Sequence, residues 1–286
     1  MQCHSANRKK ISGACRLGTG CVPCYGGRDQ IGGLALQFRF DQTMIAVNMP
    51  DRATLLATVR ARLAARQGFA LATLNLDHLV KLRRSEAFRR AYAAQDLVVA
   101  DGNPVVWLSH LAGRPVALVP GSELVVPLAQ EAALAGVSVA MIGSSEAALA
   151  TAAERLQAQV PGLRVALRIA PPMGFDPAGA AAAQMLRQVA AQGIGLCFLA
   201  LGAPKQEAMA ARGRQLAPAT GFVSVGAGLD FIAGTQTRAP KLFRVLALEW
   251  FWRALTNPRR LIPRYAACAA ILPGQALAAL RLRQRG

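Results

Sequence analysis

Apolar and polar positions follow two alternating patterns along the chain from residue 51 onward. In the first, apolar residues recur every three or four positions, as at Leu55, Val59 and Leu63, which predicts an amphipathic helix. In the second, short runs are apolar at nearly every position, which predicts strands buried on both faces. Six such runs lie at residues 69–75, 97–102, 137–143, 163–170, 194–202 and 221–228. Strands of this kind separated by helices predict an α/β fold, a mostly parallel sheet with helices on both faces.

Polar residues and glycines cluster directly after these predicted strands. In an open parallel sheet, ligands bind in the crevice beyond the carboxyl ends of the strands. Because the polar residues follow the strands, we expect them to line that crevice. The residues concerned include Asn75, Asp101, Asn103, Gly143, Gly202, Gly226 and Asp230.

The sequence LGAPKQE around Gly202 is the densest of these clusters. Gly202 permits close approach of the backbone to a ligand, and Pro204 suits the first turn of a helix. The start of a helix favours an anion, and the side chains of Lys205 and Gln206 can bind a phosphate, a sugar hydroxyl or a base edge. The alternative interpretation is a solvated first helical turn, in which Glu207 satisfies the N-terminus of the helix.

The charge of the chain is strongly basic, with 33 Lys and Arg against 15 Asp and Glu, a net charge of +18. Ten of the basic residues lie from Arg238 onward, where Glu249 is the single acidic residue and five aromatic residues are interleaved. This excess indicates an anionic partner: nucleic acid, an anionic membrane or a phosphate-bearing substrate. No secretory signal is recognised, and the longest apolar run, residues 265–280, is short for a membrane span and is interrupted by Pro273 and Gly274. We therefore expect a cytoplasmic protein that can lie at a membrane surface.

Four of the six cysteines lie in the first 24 residues, including a C-x-x-C that ends at Cys24. One interpretation is a zinc knuckle, although no second matching pair follows. The other is a disordered leader over residues 1–43, with Met44 as an alternative start of translation. Cys197 and Cys268 lie in apolar runs, so we expect both in the core.

Eight short motifs follow one another in the order typical of one enzyme family. They are TLNLDHL, DGNPVVW, PGSEL, LGAPKQE, VGAGLDFIAG, RAP, LEWFWR and NPRRLIPRY. On these motifs, the chain resembles the WecG/TagA/CpsF glycosyltransferases, glycosyltransferase family 26, over roughly residues 44–265. The resemblance implies a Rossmann-like α/β core at residues 44–237 and a basic, aromatic, helical C-terminal appendage at residues 238–286 that meets the membrane.

The resemblance also implies a reaction, the inverting transfer of a sugar from a UDP-sugar to a polyprenyl-diphosphate-linked sugar. Such enzymes build cell-surface polysaccharides at the inner face of the bacterial membrane. The family acts without a cofactor and without a metal, and no two aspartates of this sequence form a D-x-D pair. Leu118 stands where the family often has an arginine, and Glu123 replaces an aspartate. These departures leave the donor sugar open between N-acetylmannosamine, its uronate and glucose.

Individual site residues take their roles from the same resemblance. The family's matching aspartate is proposed as the base, so Asp101 would accept the proton of the acceptor hydroxyl. The alternative interpretation of Asp101 is a turn aspartate that caps the next helix. Thr73 and Asn75 would lie in the donor or acceptor pocket. Lys205, Gln206 and Glu207 are the candidates for donor binding, because the family's matching glutamine lies at the nucleotide-sugar site.

The glycine-containing turns and the C-terminal arginines are less specific. The turn after Gly143 is interpreted either as a diphosphate site at a helix N-terminus or as an ordinary capped turn. The segment from Gly226 to Asp230 is interpreted either as a close ligand approach or as a tight turn. The arginines expected to pair with lipid phosphates or substrate diphosphates include Arg238, Arg253 and Arg260.

Two further classes of protein are weighed against a glycosyltransferase. The net charge would suit a nucleic-acid- or nucleotide-binding α/β protein without transferase activity, but no known nucleic-acid module is recognised. A Rossmann oxidoreductase would need a glycine fingerprint and an acidic residue about 20 positions further on, and the sequence has neither. Nucleic acid is therefore not expected as a partner, whereas self-association as a homo-oligomer stays open.

Overall fold

Eight strands and ten helices make up the part of the chain that the computed structural model describes, residues 35–236 and 258–284. The strands are β1 (Leu36–Phe40), β2 (Thr43–Val47), β3 (Phe69–Leu74), β4 (Leu97–Ala100), β5 (Val139–Gly143), β6 (Val165–Ile169), β7 (Leu196–Ala200) and β8 (Gly221–Ser224). The helices are α1 (Arg52–Ala64), α2 (Leu76–Arg84), α3 (Glu86–Ala93), α4 (Asn103–Leu111), α5 (Gly121–Leu134), α6 (Glu146–Gln159), α7 (Ala180–Ala191), α8 (Lys205–Leu216), α9 (Gly228–Ala233) and α10 (Pro258–Gln284).

Six of the strands form one sheet in the order β4-β3-β8-β7-β5-β6, and every neighbouring pair is parallel. These six strands are the six apolar runs of the sequence, so the predicted parallel α/β sheet is confirmed. β3, β4, β5 and β8 are buried at every position, as expected for strands covered on both faces. The sheet therefore presents all its carboxyl ends at one edge.

Helices cover both faces of the sheet because successive side chains of each strand point in opposite directions. In β7, Leu196 and Phe198 belong to a core cluster with apolar residues of α1, α5, α6 and α9. Cys197 and Leu199 belong to a second cluster with residues of α7 and α8. A third cluster joins β3 and β4 to α2, α3, α4 and the β1–β2 hairpin. The three layers confirm the Rossmann-like fold expected from the sequence.

The antiparallel β1–β2 hairpin lies partly within the segment expected to be a disordered leader. Leu36, Phe38 and Phe40 alternate with polar residues, and all three side chains are buried in the third core cluster. The folded part therefore begins before the boundary expected at residue 44. The alternation of apolar and polar residues with a period of two predicts this strand, but the strand directly follows a cysteine-rich segment that has no such pattern. The C-x-x-C motif lies outside the described residues.

The C-terminal helix α10 continues through both Pro263 and Pro273, for 27 residues. The interruption expected at Pro273 and Gly274 is therefore wrong. A proline inside a helix costs about 3 kcal/mol, and α10 offsets this by burying Cys268, Gln275 and Ala279 against the protein. Of the helices described, one, from Leu261 to the end of α10, has the length and apolar composition to cross a membrane. In the structure, α10 instead packs along α2 and α4.

Candidate active site

The turns after β4, β3, β8, β7 and β5 lie side by side along the carboxyl edge of the sheet. Backbone hydrogen bonds continue from the strands into these turns. The N–H of Asp101 donates to the carbonyl of Leu74 at 2.8 Å, and the N–H of Ser144 donates to the carbonyl of Ala200 at 3.1 Å. The structure thus brings together the strand-end segments that the sequence predicted to share a crevice.

Asp101 stands beside the turn that follows β3. A Cβ placed on Gly102 would lie 3.9 Å from the Cβ of Asn75, so the two turns are in contact. Asp101, Asn75 and Asn103 are all half-buried, and Asn103 is the first residue of α4. The Asp101 carboxylate is therefore held at a partly open edge, next to amide side chains that can bind a sugar.

Asn75 also has a local structural role. Its Oδ1 accepts a hydrogen bond from the backbone N–H of His78 at 3.0 Å, which caps the N-terminus of α2. The cap accounts for the Oδ1 atom of Asn75, and its role in binding a substrate stays a prediction.

Thr73 lies within β3 rather than in the turn, and it is buried. A Cβ on Gly121, the first residue of α5, would lie 3.1 Å from the Thr73 Oγ1 and 3.0 Å from its Cγ2. A side chain at position 121 would force Thr73 to shift, so glycine favours this close approach of α5 to β3. The motif PGSEL therefore sets a helix N-terminus directly over Thr73, close to the carboxyl ends of β3 and β8.

The side chains of the LGAPKQE turn point in different directions. Lys205, the first residue of α8, is half-exposed, whereas Gln206 and Glu207 are buried. The Oε1 of Gln206 accepts from the backbone N–H of Gly226 at 3.1 Å, and its Nε2 donates to Glu207 Oε1 at 2.9 Å. Gln206 thus ties the turn after β7 to the turn after β8. Gly202 is exposed with a φ of +69°, which leaves the backbone of the turn open to a ligand.

Glu207 is a buried acid at the base of this edge. Burial raises the pKa of Glu207 to about 7, and the hydrogen bond from Gln206 and the charge of Lys81 oppose that rise only in part. Burial also raises the pKa of Tyr92 well above its usual value, and the carboxylates of Glu207 and Asp101 raise it further. Tyr92 therefore stays protonated in the neighbourhood of both acids.

Tyr92 is paired with a buried histidine. The Tyr92 hydroxyl lies 3.1 Å from His78 Nδ1, and the ring of Phe88 stands edge-on to both rings. Burial lowers the pKa of His78 to about 3, and the charge of Lys81 adds to the effect. His78 is accordingly a neutral core residue that supports the floor of the site.

The turn after β5 is closed tightly against β7. Gly143 has a φ of +121°, and a Cβ there would lie 2.2 Å from the carbonyl oxygen of Ala200, so no other residue fits. The next residue, Ser144, donates its hydroxyl to Asp230 Oδ1, and Gln236 Nε2 donates to Asp230 Oδ2 at 3.0 Å. Asp230 therefore fastens α9 to this turn, and the close approach of a ligand to this segment stays a prediction.

An ion-pair cluster that the sequence did not predict lies beside the site. Asp77 of α2 lies 2.8 Å from the Nζ of Lys81 and 2.9 Å from the Nε of Arg264 on α10. Lys81 Nζ also donates to the carbonyl of Ala203 at 3.1 Å, in the LGAPKQE turn. Asp77 lies in the motif TLNLDHL and Arg264 in NPRRLIPRY, so two of the motifs quoted above meet here.

Comparison with known proteins decides the family. The model of the glycosyl transferase WecG/TagA/CpsF family matches residues 41–285. This chain belongs to that family. A relative from Bacillus spizizenii, an N-acetylglucosaminyldiphosphoundecaprenol N-acetyl-beta-D-mannosaminyltransferase, is 28% identical over 206 residues, which cover 70% of this chain and 77% of the relative. The resemblance stated from the motifs is confirmed, and the chain is a member of a glycosyltransferase family.

The match to the WecG/TagA/CpsF family includes both the crevice and α10, but part of the predicted site is not described. Arg238 and Arg253 lie outside the described residues. Arg260 belongs to α10, and its side chain is likewise outside them. The aromatic part of the appendage around Trp250 is outside as well.

The two departures from the family pattern lie at the start of α5. Leu118 is exposed, and its backbone bridges to Ala100 next to the Asp101 turn. Glu123 pairs with Arg52 of α1 at 2.8 Å, and both side chains are partly exposed. The backbone at Leu118 therefore lies beside the end of β4, one residue before Asp101.

Proposed function

We propose that this protein transfers a sugar from a UDP-sugar to a polyprenyl-diphosphate-linked sugar, with inversion at the anomeric carbon, in cell-surface polysaccharide biosynthesis. Family membership supports the glycosyl transfer. The name of the Bacillus relative supports the acceptor class, a sugar on a diphospho-polyprenol, and favours an N-acetylmannosamine-type donor over glucose.

The position of Asp101 carries the proposal. Asp101 directly follows β4 at the carboxyl edge of the sheet, and the next residue, Gly102, lies against the Asn75 turn. In a single displacement, the acceptor hydroxyl oxygen forms a bond to the anomeric carbon while the bond from that carbon to the UDP oxygen breaks. Asp101 accepts the proton of the attacking hydroxyl, and UDP leaves with the bonding electron pair.

The donor side of the site lies at the turn before α8. Lys205 is half-exposed at the first position of that helix, and none of the described residues forms an ion pair with it. A lysine and a helix N-terminus can together stabilise the negative charge that develops on the departing diphosphate. The proposal therefore includes a metal-independent reaction without a cofactor.

The acceptor side faces a membrane in this proposal. One face of α10 packs on α2 and α4, and its other face exposes Ile262, Leu277 and Leu280, with side chains between 42% and 58% exposed. Arg259 is exposed near the start of the same helix. A helix that is docked on one side, apolar on the other and flanked by arginine suits peripheral attachment to anionic lipid at the cytoplasmic face.

The test of this function is release of UDP from a panel of UDP-sugars, with a polyprenyl-diphosphate-linked N-acetylglucosamine as acceptor in detergent, with and without EDTA. We expect acceptor-dependent release with one donor, unchanged by EDTA. Release that requires a divalent metal would contradict the metal-independent reaction. If no donor supports release with this acceptor, the proposed donor and acceptor are wrong.

Replacing the base should separate chemistry from binding. We expect Asp101→Asn to lower kcat by about 10²- to 10⁴-fold, because asparagine keeps the shape but cannot accept the proton. UDP affinity, measured by calorimetry, should stay within about threefold of the unmodified protein, since the carboxylate acts on the acceptor hydroxyl.

A matched control for this variant is Asp41→Asn. Asp41 is exposed in the β1–β2 turn with a φ of +51°, a conformation that asparagine adopts readily. The Asp41→Asn substitution should therefore leave kcat unchanged. Equal rates for the Asp101 variant and this control would refute the assignment of the base.

A further inference from the structure

Asp77 holds together two parts of the chain that the sequence separates widely. One is α10, through Arg264 Nε at 2.9 Å from Asp77 Oδ1. The other is the turn before α8, reached through Lys81, whose Nζ lies 2.8 Å from Asp77 Oδ2 and 3.1 Å from the carbonyl oxygen of Ala203. Each carboxylate oxygen therefore serves one of the two connections.

The surroundings of Asp77 make this arrangement specific. The residue is 8% exposed, although it carries a charge between two cations that are themselves partly exposed. Burial alone would raise the pKa of Asp77, but the hydrogen bond from Lys81 and the charges of Arg264 and Lys81 outweigh burial and lower it. The folded protein therefore favours the ionised form of Asp77.

The contacts further along α10 show that Arg264 is the polar part of a longer docking interface. Gly274 of α10 lies near Arg83, at the far end of α2, and Gly113 after α4 lies near Arg283. Cys268, one turn beyond Arg264, is buried in the same interface. The helix consequently lies along α2 and α4, and Arg264 connects it to Asp77.

We propose that Asp77 is a positioning residue that couples the docking of α10 to the geometry of the LGAPKQE turn. When α10 is docked, Arg264 holds the Asp77 carboxylate, and the carboxylate holds the Lys81 ammonium against the Ala203 carbonyl. When α10 is undocked, the Asp77 carboxylate loses Arg264 and keeps only Lys81 of its own helix. The carboxylate is then held less firmly, and the turn that Lys81 contacts loses part of its restraint. The inference rests on the proposed function, because that turn is placed there at the donor side of the site.

The consequence concerns donor use more than acceptor chemistry. Misplacement of a substrate-binding turn by about 1 Å lowers rates by up to about a hundredfold, without any change in the reacting groups. We therefore expect loss of the Asp77 contacts to raise the KM for the UDP-sugar more than it lowers kcat. A role confined to stability would lower the amount of active protein and leave KM unchanged.

The experiment compares Arg264→Gln, Arg264→Lys and Lys81→Gln in the full chain, with Arg281→Gln as control. Arg281 is exposed on the same helix and forms no ion pair among the described residues. Three readouts are used: the rate at which N-ethylmaleimide labels Cys268, located by mass spectrometry, the hydrogen exchange of amides 202–206, and KM and kcat in detergent. The buried Cys197 is the internal reference for labelling, because it reacts only if the core opens.

The expected pattern distinguishes the two connections. Arg264→Gln should speed both the labelling of Cys268 and the exchange of the turn, and raise the donor KM about tenfold. Lys81→Gln should speed exchange of the turn and raise KM in the same way, but leave the labelling of Cys268 unchanged. Arg264→Lys keeps the positive charge, so its labelling, exchange and KM should stay close to those of the unmodified protein. The Arg281→Gln control should match the unmodified protein.

Several outcomes would overturn the coupling. If Arg264→Gln speeds the labelling of Cys268 but leaves the hydrogen exchange of the turn unchanged, the docking of α10 and the geometry of the turn are independent. A donor KM for Arg264→Gln that is no higher than the KM of the Arg281→Gln control would also refute the coupling. If the unmodified protein transfers no sugar, the proposed function fails, and the labelling and exchange readouts still decide the coupling.

Discussion

Glu207 is the residue at which burial and charge oppose each other most directly. Its Oε1 accepts from Gln206, while no hydrogen bond to its buried Oε2 is formed within the described part of the chain. A carboxylate in this position is poorly solvated, so the folded protein favours the protonated acid well above the usual range. Protonation gives Oε2 a hydrogen and removes the buried charge.

This raised pKa makes stability depend on pH. Because the folded state binds the proton more tightly than the unfolded state, the free energy of unfolding falls as pH rises from about 4.5 to about 7. We expect Glu207→Gln, which is neutral at every pH, to be relatively more stable at pH 8 than at pH 5, compared with the unmodified protein. Urea unfolding at the two pH values measures this difference.

A suitable control is Glu154→Gln, which removes an exposed carboxylate on α6. It should shift stability by the same small amount at both pH values. The raised pKa would be contradicted if the stability of Glu207→Gln relative to the unmodified protein changed no more between pH 5 and pH 8 than that of Glu154→Gln.

The sequence predicted where the site residues lie better than it predicted what their side chains contact. Asp101 and Asn75 were expected at the crevice because they follow apolar runs, and the structure places both there. Gln206 was expected to bind a nucleotide sugar, which stays a prediction, but its amide already connects two turns. The contact between Asp77 and Arg264 could not be predicted, because it depends on how a distant helix docks rather than on local spacing.

At the scale of elements, fully buried strands were the most predictable feature, and helix boundaries were less so. The pattern over residues 76–95 predicts one helix, whereas the chain forms α2 and α3 with a break at Ser85. Ser85 accepts from the backbone N–H of Phe88 at 3.2 Å and so caps α3. A serine in an otherwise good helical pattern carries this signal only weakly, since it is also tolerated inside helices.

The β1–β2 hairpin should be required for stability. Phe38 is buried against β3 and β4, so we expect Phe38→Ala to lower the free energy of unfolding by about 3–5 kcal/mol, the usual cost of deleting a buried ring. Chemical denaturation monitored by circular dichroism measures the change.

The neighbouring Arg39 provides the comparison, since it is exposed on the opposite face of the same strand. Arg39→Ala should alter stability by less than about 0.5 kcal/mol. Equal effects of the two substitutions would mean that the hairpin does not contribute its buried face to the core.

At the scale of the whole molecule, α10 gives the protein one surface unlike the rest. Ile262, Leu277 and Leu280 are exposed on a helix that is long and apolar enough to interact with lipid. We expect the triple replacement of these residues by serine to weaken binding to anionic vesicles about tenfold or more, because each apolar side chain contributes to burial in the interface. Sedimentation with vesicles of phosphatidylglycerol and phosphatidylcholine measures the binding.

Leu134 is a control for apolarity alone, since it is 76% exposed at the end of α5 and not on α10. Leu134→Ser should leave vesicle binding unchanged. If the α10 variant binds as well as this control, attachment through the exposed face of α10 is wrong.

The order of strands in the sheet has a consequence for how the protein is made. β3 and β4 form one half of the sheet, β5, β6 and β7 form the other, and β8 is the strand that joins them. Phe69 of β3 pairs with Gly221 of β8, so β3 must wait for a partner that is translated about 150 residues later. At about 5–20 residues per second, the ribosome needs roughly 8–30 s to supply it. Towards the end of that interval the nascent chain carries two sheet fragments with open edges, which makes aggregation a hazard. A chain that stops before β8 lacks the strand that joins the two halves of the sheet and the crevice between them.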